Sequence, residues 1–281
     1  MQVPTLKLHD GTAIPQLGVG VFQVPPEETA AVTSQALEVG YRHVDTAQMY
    51  QNEAGVGQAI AESGIARDDL YVTTKLNNGF HRPDDARRSF EESLEKLRLD
   101  HVDLFLIHWP LPTRYDGDFV STWETLADFV KDGRARSIGV SNFQPAHLDR
   151  IVEETGVVPV VNQVEVHPYF ANGDVRAANA RHGVLTEAWS PIAQGQINDD
   201  EEIGAIADAL GRTKAQVVLR WHVQRGDIIF PKTTKVERMR ENAAIFDFEL
   251  DADQMATIDG LDRGEAGRRG PNPDQFDYIP D

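Results

Sequence analysis

No cysteine occurs anywhere in the 281 residues, which excludes disulfides, thiolate metal sites and cysteine nucleophiles together. Basic residues are scarce beside acidic ones: 27 Lys and Arg stand against 45 Asp and Glu, a net charge of −18. Such a chain is repelled by nucleic-acid phosphates and by anionic membranes, so neither is expected as a partner. An anionic ligand would need a local basic patch working against the overall field. Long apolar runs are missing too: the stretch from Val102 to Trp109 is broken by Asp103 and His108 and falls far short of a membrane span. The opening MQVPTLKLHDG has no basic region followed by an apolar one, so the reading is a soluble cytoplasmic protein. No HExxH pair or related spacing suggests a metal cage, and no Ser sits in a GxSxG elbow. No metal is expected.

What is present is the composition of a globular protein, 41% hydrophobic and 26% charged, with apolar material for a full core. Two textures alternate along the chain. Short β-rich runs occur at 41–44, 70–74, 102–107, 137–140, 158–166, 184–189 and 227–230, and an early one lies near 16–20. Between them, helical spacing covers 27–39, 52–63, 83–97, 119–131, 145–154, 174–182 and 213–224. Pro83-Asp84-Asp85 opens one helix, and Gly40 and Gly133 close two others. Eight strands in this rhythm predict a single α/β domain over residues 1–281, a closed (β/α)8 barrel; an open doubly wound sheet is the alternative. Alternation around Asp10-Gly11 predicts an N-terminal β-hairpin closing the bottom of the barrel. The stretch from Gly264 to Asp281, rich in Gly, Arg, Pro and Asp, reads as an irregular C-terminal tail.

Barrel active sites lie where strand C-termini meet the loops. Here those ends carry Asp45 (five residues before Tyr50), Lys75, His108-Trp109, Ser141-Asn142, Gln163, Trp189-Ser190 and Lys232-Thr233. Each residue alone reads most simply as a cap or a satisfied polar group. Together, a carboxylate, a phenol, an ammonium and an imidazole at successive strand ends point to proton transfer. Glu165 and Glu187 precede their strand ends and read as residues inside the barrel wall. They form no convincing glycosidase pair with Asp45. A Rossmann fingerprint is absent, because Gly55-Val-Gly57 lacks its third glycine and reads as the first turn of a helix.

The segments GYRHVDTAQMY (40–50), VDLFLIHWP (102–110), IGVSNF (138–143) and FPKTTKVERMREN (230–242) follow one another as in the aldo-keto reductases. The chain resembles that family over nearly its whole length. Within it, the PQLG start, the VVPVVNQVEVHP block and Trp189 most resemble bacterial 2,5-diketo-D-gluconate reductases. The resemblance implies a catalytic tetrad of Asp45, Tyr50, Lys75 and His108, and NADPH as cofactor. It implies that Ser141, Asn142 and Gln163 hold the nicotinamide carboxamide and that Trp189 stacks on the ring, where many relatives have Tyr. Ser190 and Gln194 would line the pyrophosphate, and Lys232, Thr233, Lys235, Arg238 and Asn242 the phosphorylated adenosine. Phe22, Asn77, His108 and Trp109 would border the substrate. Near relatives carry Trp at the position of Asn77 and often an aromatic at that of Val19, which removes apolar wall here.

The chemistry is coherent. Hydride addition to a carbonyl builds negative charge on oxygen, which must be protonated or stabilised as it forms. A free phenol titrates at about 10, and a neighbouring Lys75 ammonium should favour its ionised form and make Tyr50 a better acid. The leading expectation is a monomeric NADPH-dependent reductase of small aldehydes or ketones, such as diketo-gluconate or methylglyoxal. The alternative is a cofactor-binding regulatory barrel with little turnover. Short loops at 110–120 and 191–200 predict an open site.

Overall fold

The computed structural model describes residues 3–280. The chain begins with the expected hairpin, β1 (Thr5–Lys7) antiparallel to β2 (Ala13–Pro15). Its turn is closed by Leu8 and Thr12, with Gly11 at a φ of +92°, where a side chain would be strained.

Eight parallel strands follow in chain order: β3 (Val19–Gly20), β4 (His43–Asp45), β5 (Tyr71–Leu76), β6 (Val102–Ile107), β7 (Ala135–Ser141), β8 (Val161–Glu165), β9 (Leu185–Trp189) and β10 (Ile228–Ile229). The two ends of this row meet. Gly18 N–H donates to Ile229 O at 2.9 Å, and Ile229 N–H donates to Gln16 O at 3.0 Å, closing the (β/α)8 barrel. A Cβ at Gly18 would lie 2.8 Å from the Phe230 ring and 2.9 Å from His43 O, so the seam admits only glycine.

The helices α1 (Pro26–Val39), α2 (Glu53–Glu62), α3 (Pro83–Leu97), α4 (Val120–Lys131), α5 (Pro145–Thr155), α6 (Gly173–His182) and α8 (Lys214–Gln224) lie within a residue or two of their expected positions. α3 shows why. Pro83 starts it, Asp84 and Asp85 face its positive end, and Ala86, Phe90, Leu94 and Leu97 bury one stripe. Three helices have no counterpart in the sequence reading: α7 (Glu201–Leu210), α9 (Val236–Ala243) and α10 (Ala252–Asp259). α9 buries only Met239 and Asn242, and α10 only Ile258, too few apolar positions for a periodic signal.

Along each strand, side chains alternate between the helices and the barrel interior. On β5 and β6, Val72, Phe105 and Ile107 join the outer core, whereas Tyr71, Leu104 and Leu106 join an inner cluster. That cluster also contains Val161, Ile228 and Phe230, and hairpin residues Leu8 and Ile14 plug it from below. The hairpin is tied down by Ser137 Oγ donating to Asp10 Oδ2 at 2.6 Å and by a 3.1 Å contact between His9 Nε2 and Pro159 O.

Candidate active site

At the opposite end of the barrel the inward positions are polar. Register sets Asp45 of β4 beside Thr73 of β5, so Lys75, the next inward residue of β5, reaches diagonally to it. Lys75 Nζ donates to Asp45 Oδ1 at 2.7 Å, to Thr46 O at 2.9 Å and to Tyr50 OH at 3.2 Å. Tyr50 arrives on a 3₁₀ turn, Gln48–Tyr50. Gln48 pins that turn by donating to Ser93 Oγ at 2.9 Å while its Oε1 accepts from Asn77 N at 2.7 Å. His108 directly follows β6, its ring centroid 5.6 Å from that of Tyr50, and Phe22 closes the other side at 5.0 Å. The four groups expected at successive strand ends therefore meet.

Their electrostatics are set by burial and by one another. Burial opposes charge on Lys75, yet the Asp45 carboxylate and Tyr50 outweigh it and hold the ammonium above its ordinary range. For Tyr50, burial pushes the phenol up and Lys75 pulls it back down only in part. The net direction is upward, which corrects the expectation that Lys75 would dominate. At neutral pH Tyr50 holds its proton. Burial, then Lys75, pushes His108 well below the usual imidazole range, so it is neutral, with one nitrogen able to donate and the other to accept.

A second row of side chains adjoins the tetrad. Ser141 Oγ donates to Gln163 O at 2.8 Å, and Asn142 Nδ2 donates to His108 O at 3.0 Å. Trp189 Nε1 donates to Asn142 Oδ1 at 2.9 Å, which fixes the indole plane beside the tetrad. Asn142 adopts a φ of +63°, a left-handed conformation that Asn tolerates, and this turns its amide back toward His108. After Trp189, Ser190, Ala193, Gln194 and Gly195 all have positive φ, so the chain runs as a tight irregular loop rather than entering a helix at once.

Lys232, Lys235 and Arg238 are exposed at the start of α9, and none forms an ion pair among the described residues. Thr233 is buried and its Oγ1 accepts from Lys235 N at 3.1 Å; Asn242 is buried on α9. Unpaired cations concentrated in a chain of net charge −18 are a donor set that suits a phosphorylated dinucleotide.

The tail gives the rim its remaining wall. Glu165, the last residue of β8, accepts from the backbone N–H of Arg269 at 2.7 Å and of Gly270 at 2.8 Å. A Cβ at Gly270 would lie 2.4 Å from Trp189 Cη2, so the tail presses directly on the indole edge. Asp274 Oδ1 then lies 3.3 Å from His147 Nε2, Phe276 packs on Trp109 with centroids 4.1 Å apart, and Asn78 Nδ2 donates to Tyr278 O at 2.8 Å. The tail thus borders a mouth that short loops alone would leave open. Asn77 spends its Oδ1 on Gly79 N as a turn cap, beside the segment where Tyr278 and Ile279 stand exposed. Glu165 as the anchor of the tail is not evident from the sequence; the available signal is polar residues at inward positions two apart, Gln163 and Glu165.

Residues 15–263 match the model of the aldo/keto reductase family. An aldo-keto reductase of Mycolicibacterium smegmatis is 45% identical over 276 residues, which cover 98% of this chain and 99% of the relative. The methylglyoxal reductase DkgA of Escherichia coli is 46% identical over 280 residues, covering 98% and 99%. Among solved structures, a Gox0644 variant in complex with NADPH is similar at a TM-score of 0.94 and 44% identity, covering 99% of this chain and 100% of that one.

Proposed function

This chain belongs to the aldo/keto reductase family, and from that premise we propose that it reduces small aldehydes and ketones with NADPH, using Tyr50 as the general acid. The observation that carries the reading is Lys75 Nζ, fully buried and shared between Asp45 and Tyr50. When bound, NADPH supplies the hydride. The substrate oxygen would lie between Tyr50 OH and the neutral ring of His108. As that oxygen gains negative charge, Tyr50 gives it the proton that burial has kept on the phenol. The Lys75 ammonium, held charged by Asp45, stabilises the phenolate left behind. His108 donates a hydrogen bond that orients the carbonyl.

For the cofactor, Ser141, Asn142 and Gln163 are the groups beside the tetrad able to meet the carboxamide, and Trp189 offers the flat face. Ser190 and Gln194 lie in the loop suited to the pyrophosphate. Lys232, Thr233, Lys235, Arg238 and Asn242 suit a 2′-phosphate, with Arg238 able to pair bidentately. Phe22, Trp109, Asn77 and His108 border the substrate, joined by Phe276 of the tail. DkgA is a methylglyoxal reductase, and methylglyoxal and diketo-gluconate head the substrates to try. The reading extends to a single-domain cytoplasmic monomer with no nucleic-acid or membrane partner. The net charge of −18 supports the absence of nucleic-acid and anionic-membrane partners, and among the described residues no helix is long and apolar enough to cross a membrane.

NADPH consumption with a carbonyl panel tests this, with NADH run in parallel. Tyr50→Phe should lower turnover by about 10²–10⁴-fold with cofactor binding intact. Arg238→Ala should weaken NADPH far more than NADH. Near-normal turnover in Tyr50→Phe would remove the general-acid role, and equal losses of the two cofactors would remove the phosphate role of Arg238.

A further inference from the structure

Glu187 takes no part in the reaction above, yet it occupies a costly position. It faces inward from the middle of β9, fully buried, with Ile228 as its register partner on β10 and Gln163 on β8. It forms no ion pair among the described residues, and its Oε1 has no hydrogen-bond partner there. An aliphatic residue would suit the packing at lower cost. What Glu187 does hold is Gln163. The Gln163 amide nitrogen donates to Asp45 Oδ2 and to Glu187 Oε2, each at 2.9 Å.

An amide nitrogen carries two hydrogens and accepts nothing, and the atom facing the Lys75-paired Asp45 must be the donor. Asp45 therefore settles which way round the amide lies, and the two carboxyl groups together consume both hydrogens and fix its plane. Gln163 Oε1, which accepts no hydrogen bond among the described residues, is left as the atom free for a ligand. With Asp45 alone, the donor end would still face the barrel, but the second N–H would be buried without a partner and the amide could swing about its one remaining hydrogen bond.

We propose that Glu187 is a positioning residue for the cofactor: together with Asp45 it locks Gln163 with its NH₂ turned into the barrel, so that Oε1 accepts from the N–H of the nicotinamide carboxamide. This rests on the reading that Gln163 meets the carboxamide. Burial, followed by the Asp45 charge, pushes the Glu187 carboxyl up to about 8, so at neutral pH it accepts from Gln163 without adding a second negative charge beside Asp45.

The test is equilibrium binding, read by protein fluorescence, of NADPH and of its analogue with an acetyl group in place of the carboxamide. The analogue keeps a carbonyl acceptor but has no N–H to give. Wild type should prefer NADPH by about tenfold, the worth of one well-made hydrogen bond. Gln163→Ala should abolish the preference. Glu187→Leu should abolish it as well, and the double variant should match Gln163→Ala alone. Glu187→Gln, whose amide oxygen still accepts, should retain it. A preference that depends on Gln163 but survives in Glu187→Leu overturns the proposal alone, as does equal weakening of both ligands. A wild type without preference, or one unchanged in Gln163→Ala, overturns the Gln163 assignment and the proposal with it. Circular dichroism melts identify any variant that fails to fold, and Glu187→Met then replaces Glu187→Leu.

Discussion

At the lower end of the barrel, Tyr71 of β5, Leu104 and Leu106 of β6, Val161 of β8 and Ile228 of β10 close around Leu8 and Ile14 of the hairpin. At the upper end β5, β6 and β8, two to four residues further on, turn in Lys75, His108, Gln163 and Glu165, and β9 adds Trp189. The lower layer is mostly apolar. It holds the Tyr71 hydroxyl and His43, whose imidazole is pushed down to about 3 by burial and so stays neutral, 2.9 Å from Thr73 Oγ1. The upper layer is almost entirely polar, and nearly every group in it leans on another. Single strands thus hold a stabilising end and a chemical end, and the change from one to the other takes only one or two inward steps. Lys75, Gln163 and Glu165 are buried as deeply as the apolar plug; what differs is whether the buried atoms need partners.

Breaking the upper end should cost both stability and activity, because its charges are buried in pairs. Lys75→Met leaves Asp45 unpaired, and a loss of about 3–5 kcal/mol in urea unfolding is expected together with loss of turnover. Unchanged stability would mean that the pair contributes nothing to the fold. Breaking the lower end should separate the two properties. Ile14→Ala removes buried apolar volume from the plug and should cost about 2–4 kcal/mol, with kcat and NADPH affinity within twofold of wild type. A large fall in kcat would show that the ends are mechanically coupled.

The comparison is sharpened by the one acid that lies between the layers. Glu187 titrates near 8 in the folded chain and near the ordinary carboxyl value of 4.5 when unfolded. Between those values the unfolded state has released a proton that the folded state keeps, so stability contributed by this site falls as pH rises through the window and levels off above it. Glutamine does not titrate. Glu187→Gln should therefore gain about 2 kcal/mol relative to wild type between about pH 5 and pH 7, measured as parallel thermal melts. A pH-independent difference would place Glu187 in a solvated environment.

Much of this was legible in the sequence because it depends on local periodicity. Asp45 and Trp189 end their strands and Lys75 and Gln163 stand one and two residues before theirs, and a period of two puts them all on the inner face once the strands are recognised. α3 and the hairpin carried their own start, stop and turn residues. What escaped was non-local. α9 and α10 present one or two apolar residues each and are held by what they pack on. Glu165 and Glu187 look alike along the chain, but one binds the backbone of residues a hundred positions away while the other holds a neighbouring strand's amide. The direction of Tyr50's shift depended on how deeply the turn carrying it would be buried, a depth that no spacing encodes.

The sequence by itself determined the alternation of strands and helices, the excess of acid, and the order in which a carboxylate, a phenol, an ammonium and an imidazole reach the strand ends. Those features are written in neighbouring residues and survive without a partner. Only the tertiary structure decided that Lys75 would be shared between Asp45 and Tyr50, that burial would outweigh it at the phenol, that Gln163 would lie between two carboxyl groups and that the tail would lodge against Trp189. Each of these is a balance between desolvation and a contact made across the barrel, and such a balance exists only once the barrel has closed.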